Sequence, residues 1–552
     1  MNGAEILIQC LKHEGVDTAF AYPGATSLLI HQALIGSGIR VILPRHEQGG
    51  AFEASGFARK SGRTGVCIAT SGPGATNLVT AIADAWMDSI PLVAITAQVN
   101  QRLIGKNAFQ ETDIIGMTRP IVKHSYLVMS LDELPEVVKD AFALTRSGRP
   151  GPVVIDITCD ILALQGDPIY PSTPNLRALC LPPTVPEETL AALRSELVAS
   201  RKPCIFAGGG VIHSNASREL LAFAEAWRIP VVTSLMGIGA FPEEHPLSMR
   251  WIGMHGLNGA NRAVHECDLL LAIGVRFSDR VTGDVSKFAP NAKIIHIDID
   301  DSELNKNKHA DLAVVSDARS ILVSLMSRRP YYRGRDAWLK QVANWKRQHD
   351  FTVKRHPAKG LSGQEVIRAL YEATGGQATI VTGVGQHQMW AAQFYKYSRP
   401  RQLLTSGGLG AMGFGLPAAI GAKIACPDEL VILVDGDGSF QMNIQELATL
   451  YAENIPLKML VLNNQCLGMV SQWEDIFCEG RHGNTDLTVP QAKGVYPDLV
   501  AIAKGYNIPG ATISTHAELM PSIRKMLAAK TPFLLNCITV RHEKVLPHSI
   551  FK

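Results

Sequence analysis

The sequence is most restrictive in what it lacks. It contains 10 cysteines in 552 residues, and none of them forms a Cys-x-x-Cys pair, so we expect neither a zinc site nor a disulfide framework. The formal net charge is only +3, which is too small to indicate binding to nucleic acid or to an anionic membrane. No apolar run approaches the roughly 18 residues of a membrane-spanning helix. These absences leave an ordinary globular protein, with small molecules as its expected ligands.

The N-terminal residues and the length of the chain predict its location and its number of domains. Residues 1–13 mix polar side chains into an apolar pattern, which predicts an amphipathic helix and lacks the apolar core of a signal peptide. With scattered cysteines, this favours the reducing cytoplasm, and we expect a cytoplasmic location. At 552 residues the chain is too long for one core, so roughly three domains are expected.

The order of strands and helices predicts the fold class. Residues 1–165 alternate short apolar strands with helical stretches, which is typical of a parallel sheet covered on both faces by helices. Blocks of the same kind span residues 188–327 and 363–545. Proline-rich residues 166–187 and charged residues 328–362 predict linkers, the second with a helix. We therefore expect an α/β protein with three doubly wound parallel-sheet domains.

Two polar loops in the last block predict a magnesium site. Residues 431–434 form an apolar run typical of a buried strand, and residues 436–439 follow it as a tight loop. A helical stretch then leads to a second apolar strand at residues 457–462. Because a strand–helix–strand unit returns the chain parallel to itself, Asp437 and Asn464 should meet at one edge of the sheet. One carboxylate and one amide oxygen suit Mg²⁺ with its open positions for phosphate and water.

A glycine pattern in the same block matches a nucleotide-binding motif only in part. Gly408, Gly410 and Gly413 fit the dinucleotide pattern G-x-G-x-x-G. A strong preceding strand and an acidic residue about 20 positions further on, which that pattern requires, are both missing. The spacing alone therefore does not predict a dinucleotide site.

Five motifs together resemble the large subunit of acetohydroxyacid synthase, a thiamine-diphosphate (ThDP) enzyme. They are RHEQG at 45–49, TSGPGATN at 70–77, GKNAFQE at 105–111, GQHQMW at 385–390 and GLGAMGFG at 408–415. With the magnesium motif they occur in the family's order, and the similarity runs from about residue 3 to about residue 545. The resemblance implies a pyrimidine-binding first domain, a central domain of the FAD-binding type and a diphosphate-binding third domain.

The resemblance also implies the reaction. Pyruvate would be decarboxylated and its hydroxyethyl unit joined to a second 2-oxoacid, giving 2-acetolactate or 2-aceto-2-hydroxybutyrate for branched-chain amino acid biosynthesis. The cofactor supplies that chemistry, and the protein supplies orientation and a dry site. Two alternatives stay open: a specialised ThDP lyase or acyltransferase with another acceptor, and a non-catalytic paralogue. Intact Glu47, Asp437 and Asn464 argue against the second alternative.

Residue roles are carried over from the family by position. Glu47 would hydrogen-bond the aminopyrimidine, Phe109 and Gln110 would reach the reacting carbons, Arg276 would hold the acceptor carboxylate, and Trp473 would favour 2-oxobutyrate. The implied ThDP-binding residues are Tyr22, Pro23, Gly24, Thr70, Pro73, Asn77, Val384, Gly385, Gln386, His387, Gly410, Met412, Gly436, Asp437, Gly438, Ser439, Asn464, Gly468 and Met469. Metal ligands would be Asp437, Asn464 and the carbonyl of Cys466. The implied FAD-binding residues are Arg149, Gly208, Gly209, Gly210, His255, Gly256, Gly274, Arg276, Asp298, Ile299 and Asp317.

The resemblance further implies a homodimer or homotetramer, with or without a small regulatory subunit. Departures from the family pattern gather on the acceptor side: Lys106 and Asn107 replace Thr-Asp, Ser278 replaces an aspartate, and the tail after Lys544 is short. We therefore expect the cofactor chemistry to be retained and the choice of acceptor to shift.

Overall fold

A computed structural model places the chain in three α/β domains, each built on a six-stranded parallel sheet. The structure describes residues 1–175, 179, 183–328, 331–332, 334–348, 351–353, 360–492 and 494–545. The C-terminal tail beyond residue 545 and parts of both predicted linkers lie outside the described residues. The predicted fold class is confirmed. No helix in the described parts of the chain is long and apolar enough to cross a membrane.

In the first domain the strand order is β2-β1-β3-β4-β6-β5. Its strands are β1 Thr18–Ala21, β2 Arg40–Ile42, β3 Gly65–Thr70, β4 Leu92–Gln98, β5 His124–Val128 and β6 Pro152–Thr158. Its helices are α1 Gly3–His13, α2 Leu28–Leu34, α3 Glu47–Ser61, α4 Pro73–Asn77, α5 Val79–Met87, α6 Ile114–Thr118, α7 Leu134–Arg146 and α8 Cys159–Ala163.

In the second domain the strand order is β12-β11-β10-β7-β8-β9. Its strands are β7 Pro203–Ala207, β8 Val231–Thr233, β9 Ser248–Trp251, β10 Leu269–Ile273, β11 Lys293–Asp298 and β12 Leu312–Val315. Its helices are α9 Glu187–Ala199, α10 Gly209–His213, α11 Ser217–Trp227, α12 Asn258–Glu266, α13 Asp279–Thr282, α14 Ala318–Met326 and α15 Asp336–Gln348. Buried Trp338 and Trp345 pack α15, the helix expected in the second linker, against this domain.

In the third domain the strand order is β14-β13-β15-β16-β18-β17. Its strands are β13 Thr379–Thr382, β14 Leu403–Leu404, β15 Val431–Gly436, β16 Lys458–Asn463, β17 Gly510–Ile513 and β18 Phe533–Ile538. Its helices are α16 Gly363–Thr374, α17 Gln386–Phe394, α18 Gly415–Ala425, α19 Asp437–Gln441, α20 Leu447–Ala452, α21 Gly468–Phe477, α22 Leu499–Gly505 and α23 His516–Ala528.

Local sequence explains where the site-bearing helices begin. The amphipathic helix α1 is confirmed, and Asn2 and Glu5 form a capping box at its start. His46 caps α3 by accepting the Gln48 N–H, so Glu47 is the first residue of that helix. The predicted tight loop after β15 is wrong in one respect: Asp437 begins the short helix α19, with Gly436 as its N-cap.

The first and third domains share one core, because α3 packs on α18. Small residues allow this close approach: a β-carbon at Gly56 would overlap Ala418 backbone, and one at Gly421 would overlap Glu53 backbone. Phe52 and Phe414 meet edge to face beside them, with ring centroids 5.4 Å apart. A single buried apolar cluster therefore continues from β3 and α3 into α18 and β15.

Candidate active site

The proposed metal ligands lie at one edge of the third sheet. Strands β15 and β16 are parallel neighbours, with Gly436 paired to Leu462. Asp437 follows the end of β15 and Asn464 follows the end of β16. Both therefore lie at the carboxyl edge, as the sequence predicts, where parallel sheets bind ligands.

The donor set at this edge fits a divalent cation. Asp437 is 5% exposed, and burial raises its pKa to about 6, although N–H groups of its own backbone and of Asn464 act in the opposite direction. A bound cation would favour the ionised carboxylate. The Asn464 amide oxygen accepts the Cys466 N–H over 3.1 Å. The Cys466 carbonyl accepts the Gly468 N–H over 2.8 Å and keeps a second lone pair. Oxygen ligands of this kind suit Mg²⁺.

His387 packs closely against two glycines next to the metal ligands. A β-carbon at Gly436 would lie 2.7 Å from His387 Nδ1, and one at Gly385 would lie 3.1 Å from it. Asp435 Oδ1 lies 3.3 Å from His387 Nε2, too poorly aligned for a hydrogen bond, so a buried carboxylate lies next to the ring. Gly385 is also the N-cap of α17, where free N–H groups attract anions. This uncapped helix start suits a diphosphate.

The second wall of the pocket comes from the loop before α18. Ser439 Oγ accepts the Gly413 N–H over 3.2 Å and the Val384 N–H over 3.4 Å. A β-carbon at Gly438 would lie 3.6 Å from Met412 Cε. The structure therefore brings Val384, Met412, Gly438 and Ser439 together. Gly410 is exposed beside them, and a β-carbon there would lie 3.9 Å from Val384 Cγ1.

Gln386 connects this pocket to the start of α21. Its Oε1 accepts from Asn464 Nδ2 over 3.4 Å, and a β-carbon at Gly468 would overlap that same oxygen. Its Nε2 donates to the Glu543 carbonyl over 2.7 Å. Met469 is half-buried next to Gly468. Gln386, Asn464 and Gly468 are therefore tightly packed.

The first-domain residues gather around Glu47. Asn77 Nδ2 donates to Glu47 Oε2 over 2.9 Å, and Glu47 Oε1 would lie 3.4 Å from a β-carbon at Gly74. A β-carbon at Gly24 would lie 2.6 Å from Thr70 Oγ1. Tyr22 is half-buried and Pro23 exposed at the end of β1, and Pro73 begins α4.

Phe109 and Gln110 lie on an exposed loop of the same domain. Phe109 is 85% exposed. Gln110 has a φ of +62°, and its Cα would lie 2.9 Å from a β-carbon at Gly72. The Gly105 and Ala108 N–H groups hold the Glu111 carboxylate and lower its pKa. This loop lies beside the TSGPGATN motif, and the chain covers little of Phe109.

Most of the expected FAD-binding residues line one cavity of about 1540 Å³ between the three domains. Nine of the eleven do so: Arg149, Gly209, Gly210, His255, Gly274, Arg276, Asp298, Ile299 and Asp317. Gly208 and Gly256 are not among the lining residues. Gly208 instead allows β7 and β10 to approach, because a β-carbon there would overlap the Gly274 carbonyl oxygen.

Charges around this cavity are unevenly paired. Arg149 makes ion pairs with Glu303 at 2.8 Å and Asp300 at 3.3 Å. Burial lowers the pKa of Arg276, and repulsion from Arg149 adds to that effect. Burial raises the pKa of Asp298 to about 6. The cavity is thus polar at the ends of β10 and β11.

The cavity also reaches third-domain residues, which include Val384, Gly410, Met469 and Trp473. The Trp473 ring stacks on Phe477 at 5.3 Å and lies 6.5 Å from the His255 ring. Glu47, Phe109 and Gln110 are not among its lining residues. Within one chain, Arg276 and Trp473 therefore line the same cavity. Glu47 lies outside that cavity, next to Asn77.

Three residues missed in the sequence support the pocket. Asp435 places a buried carboxylate next to His387. Gln388 Nε2 donates to Thr405 Oγ1 and to the Ser406 carbonyl. Gln472 Oε1 accepts the Val545 N–H over 2.8 Å. Asp435 could have been found from the sequence, because it is an acidic residue inside the apolar strand β15. The two glutamines could not, because their hydrogen-bond partners lie elsewhere in the sequence.

Family models match all three domains. They describe the N-terminal TPP-binding domain at residues 1–117, the central domain at 190–325 and the C-terminal TPP-binding domain at 383–537 of thiamine pyrophosphate enzymes. Acetolactate synthase 1, chloroplastic, of Oryza sativa subsp. japonica is 50% identical over 99% of this chain and 86% of its own length. The Arabidopsis thaliana acetolactate synthase, chloroplastic, is 48% identical over 99% of this chain and 82% of its own length. The chain belongs to the acetolactate synthase family. It is a ThDP-dependent enzyme, and the recognition made from its motifs is confirmed.

One prediction is contradicted by these relatives. The rice and Arabidopsis proteins are both named as chloroplastic, as is acetolactate synthase 1 of Nicotiana tabacum, which is 49% identical over 99% of this chain and 83% of its own length. The expectation of a cytoplasmic location is therefore wrong. Scattered cysteines and a modest net charge do not distinguish one cellular compartment from another.

Proposed function

We propose that the protein decarboxylates pyruvate and joins the two-carbon unit to a second 2-oxoacid, giving 2-acetolactate or 2-aceto-2-hydroxybutyrate. The observation that carries this proposal is the intact metal and diphosphate edge, Asp437 with Asn464 beside His387, in a chain of the acetolactate synthase family. ThDP, when bound, supplies the electron sink for loss of CO₂. The residues of this chain bind and orient the cofactor and the substrates, and they exclude water from the site.

Mg²⁺ would be held by Asp437, Asn464 and the Cys466 carbonyl. The buried Asp437 carboxyl and the two neighbouring oxygens supply the hard ligands that this ion prefers. Gly385, Gly436 and His387 would receive the diphosphate. Gly438, Ser439 and Met412 would lie against the thiazolium end, since they pack on one another across the pocket.

Glu47 would hydrogen-bond a ring nitrogen of the aminopyrimidine. Its Oε2 is already held by Asn77, so the carboxylate has a fixed orientation, as proton transfer over hydrogen-bond distance requires. Tyr22, Pro23, Gly24, Thr70 and Pro73 would surround the same ring. Phe109 and Gln110 would lie over the reacting carbons.

FAD would occupy the cavity between the three domains. About 1540 Å³ accommodates a large cofactor, and nine expected residues line it. Arg149 and Arg276 would face its anionic phosphates. The same cavity reaches Trp473, so the flavin site and the acceptor side of the active site are continuous.

Arg276 and Trp473 would select the acceptor. A buried arginine suits a 2-oxoacid carboxylate, and Trp473 offers an aromatic face for the extra methyl group of 2-oxobutyrate. Lys106, which is exposed on the Phe109 loop, adds a cation near the reacting carbons. It supports the alternative of a specialised ThDP lyase with a different anionic acceptor.

We further propose a homodimer or homotetramer in which two chains complete each active site. Glu47 is fixed by first-domain residues and Asp437 lies in the third domain. Large apolar side chains are exposed on both of these domains, including Phe109 at 85% in the first and Met442 at 55% in the third. A second copy would cover them. A small regulatory subunit is also consistent with the family, although no surface among the described residues singles one out.

A two-substrate assay tests the reaction. The purified protein with ThDP, Mg²⁺ and FAD receives pyruvate alone and then pyruvate with 2-oxobutyrate, and both acetohydroxyacids are quantified. An Asp437→Ala protein is the matched control, because it loses the metal ligand. Consumption of pyruvate without either product would favour the alternative lyase, and no consumption at all would contradict the proposed function.

A further inference from the structure

Three charged residues of the first domain form a buried cluster that the proposed reaction does not use. The Arg59 guanidinium donates to Asp84 Oδ2 over 2.7 Å and to Asp88 Oδ2 over 2.9 Å. Their side chains are 3%, 0% and 0% exposed, respectively. We call Arg59, Asp84 and Asp88 the Arg59 cluster. It lies where the end of α3 meets the end of α5.

The Arg59 cluster also hydrogen-bonds to one third-domain loop, residues 405–411. Within the first domain but outside the cluster, Arg59 Nε donates to the Ser55 hydroxyl over 3.2 Å. The Gly407 and Gly408 N–H groups donate to the Asp88 carboxylate over 3.0 and 2.8 Å. Arg59 Nη1 donates to the Thr405 carbonyl over 2.9 Å. The Ser406 hydroxyl donates to Asp84 Oδ1 and accepts the Ala411 N–H. Four of the seven loop residues are therefore held directly by the cluster.

This loop leads directly into the cofactor pocket. It connects β14 to the segment that carries Met412 and Gly413, and the Gly413 N–H is bound by Ser439. The loop has no helix or strand, and Leu409 at its centre is 42% exposed. The guanidinium of Arg59 also lies 4.9 Å from the Phe414 ring centroid, so the cluster contacts the chain on both sides of Met412.

A purely stabilising role does not account for this arrangement. Buried ion pairs lose much of their attraction to desolvation, and apolar residues of equal size often stabilise as well or better. Here two carboxylates and one guanidinium present a fixed set of acceptors and donors to a loop more than 300 residues away in sequence. Such geometry is suited to positioning a backbone.

We propose that the Arg59 cluster positions residues 405–411, and through them Met412, for binding of ThDP. This inference rests on the proposed cofactor site. The ordered loop lowers the conformational entropy that cofactor binding must otherwise remove. Arg59, Asp84 and Asp88 are thus positioning residues, which touch neither the cofactor nor the substrate.

The test measures binding of ThDP with Mg²⁺ to the full-length protein by tryptophan fluorescence, without substrate. Asp88→Asn keeps the size of the side chain but sets an amide N–H₂ group against Arg59 or against the glycine N–H groups. Ser406→Ala is a milder variant, which removes one hydroxyl of the loop and leaves the ion pairs. Lys60→Met is the matched control: Lys60 is on the same helix, its side chain is 4% exposed and it pairs with third-domain Glu429 at 2.8 Å, away from residues 405–411.

Asp88→Asn should raise the half-saturating ThDP concentration roughly tenfold or more, since one acceptor oxygen is lost to Arg59 or to the Gly407 and Gly408 N–H groups. Ser406→Ala should raise it by a smaller factor. The rise in melting temperature on adding cofactor should shrink in both variants and stay at the wild-type size in Lys60→Met. If Asp88→Asn does not fold, the Ser406→Ala result decides.

Wild-type ThDP affinity in a folded Asp88→Asn or Ser406→Ala protein would overturn the proposal, even if its melting temperature fell. Equal loss of affinity in Lys60→Met would also overturn it, because the effect would then belong to the whole domain interface. A wild-type protein that binds ThDP but forms no acetohydroxyacid would contradict the proposed function alone.

Discussion

Gly421 of α18 lies so close to Glu53 of α3 that any β-carbon at position 421 would overlap the Glu53 carbonyl oxygen. This contact sets the distance between the first and third domains of one chain. Both neighbours are helical backbone, which has little freedom to move aside.

Gly421→Ala should therefore destabilise the protein by about 1–3 kcal/mol or more, as overpacking does in a dense interior. Gly505→Ala is the control, because Gly505 also lies in a helix and a β-carbon there would meet no described atom within 4 Å. That change should be neutral or slightly stabilising. Urea unfolding of both variants measures the difference, and equal stability would show that the helices separate easily.

The same interface should make stability depend on pH. Glu53 is fully buried, and burial raises its pKa well above the usual value, with repulsion from Glu446 adding to the rise. A raised folded-state pKa means that stability is fully present below the unfolded pKa of about 4.5 and is lost as pH rises through the folded pKa.

Glu53→Gln should remove this loss, because a neutral amide of equal size replaces the carboxyl group. We expect its advantage in melting temperature over wild type to grow as the pH rises above about 4.5, the usual pKa, and to keep growing until the folded-state pKa is passed. Glu196→Gln serves as a control, since Glu196 is partly exposed, pairs with Lys293 and does not contribute to the raised pKa of Glu53. Parallel curves for wild type and Glu53→Gln would contradict the prediction.

Sequence patterns predicted the parts of the site that follow strong local signals. Asp437 and Asn464 follow apolar strands, so their common edge could be inferred from chain direction alone. Strand β5 was missed because only its last residue, Val128, is buried and the other positions are partly or fully exposed. Strand β9 was missed because Ser248 and Arg250 interrupt its apolar pattern.

Contacts between distant parts of the chain could not be predicted in this way. Asp88 binds Gly407 and Gly408 across 319 and 320 residues, and no periodicity in either segment records that pairing. The short helix α19 was missed for a different reason: its glycine-flanked start resembles a loop, and only the packed end of β15 determines that it continues as a helix.

Glu47→Gln should separate catalysis from binding. The amide keeps the size of the side chain next to Asn77, but it cannot hold or exchange a proton as a carboxylate does. We expect pyruvate consumption to fall by about 10²–10⁴-fold, with ThDP affinity within a few-fold of wild type. Steady-state rates and fluorescence titration measure the two effects. Retained activity would remove Glu47 from the proposed role.

FAD binding should depend on the charge pattern of the cavity. Arg149 lines the cavity and is held in place by Glu303 and Asp300, so its guanidinium has a fixed position beside an anionic ligand in the cavity. Arg149→Ala should lower FAD affinity roughly tenfold, measured by flavin absorbance after dialysis. Arg319→Ala is the control, because Arg319 is 60% exposed and pairs with Glu219. Full activity of a flavin-free wild-type protein would contradict the FAD assignment.

The proposed sharing of the active site between chains can be tested by complementation. Glu47→Ala and Asp437→Ala should each be inactive, since one lacks the pyrimidine contact and the other a metal ligand. In a mixed dimer of the two, one of the two sites receives its Glu47 and its Asp437 from unaltered domains, provided that these domains come from different chains. Co-refolded mixtures should then regain up to about one quarter of wild-type activity, because half of randomly paired dimers are mixed and each has one intact site. Each variant refolded alone is the control. If isolated mixed dimers, purified through two different tags, are inactive, then Glu47 and Asp437 act within a single chain and the exposed Phe109 loop needs another explanation.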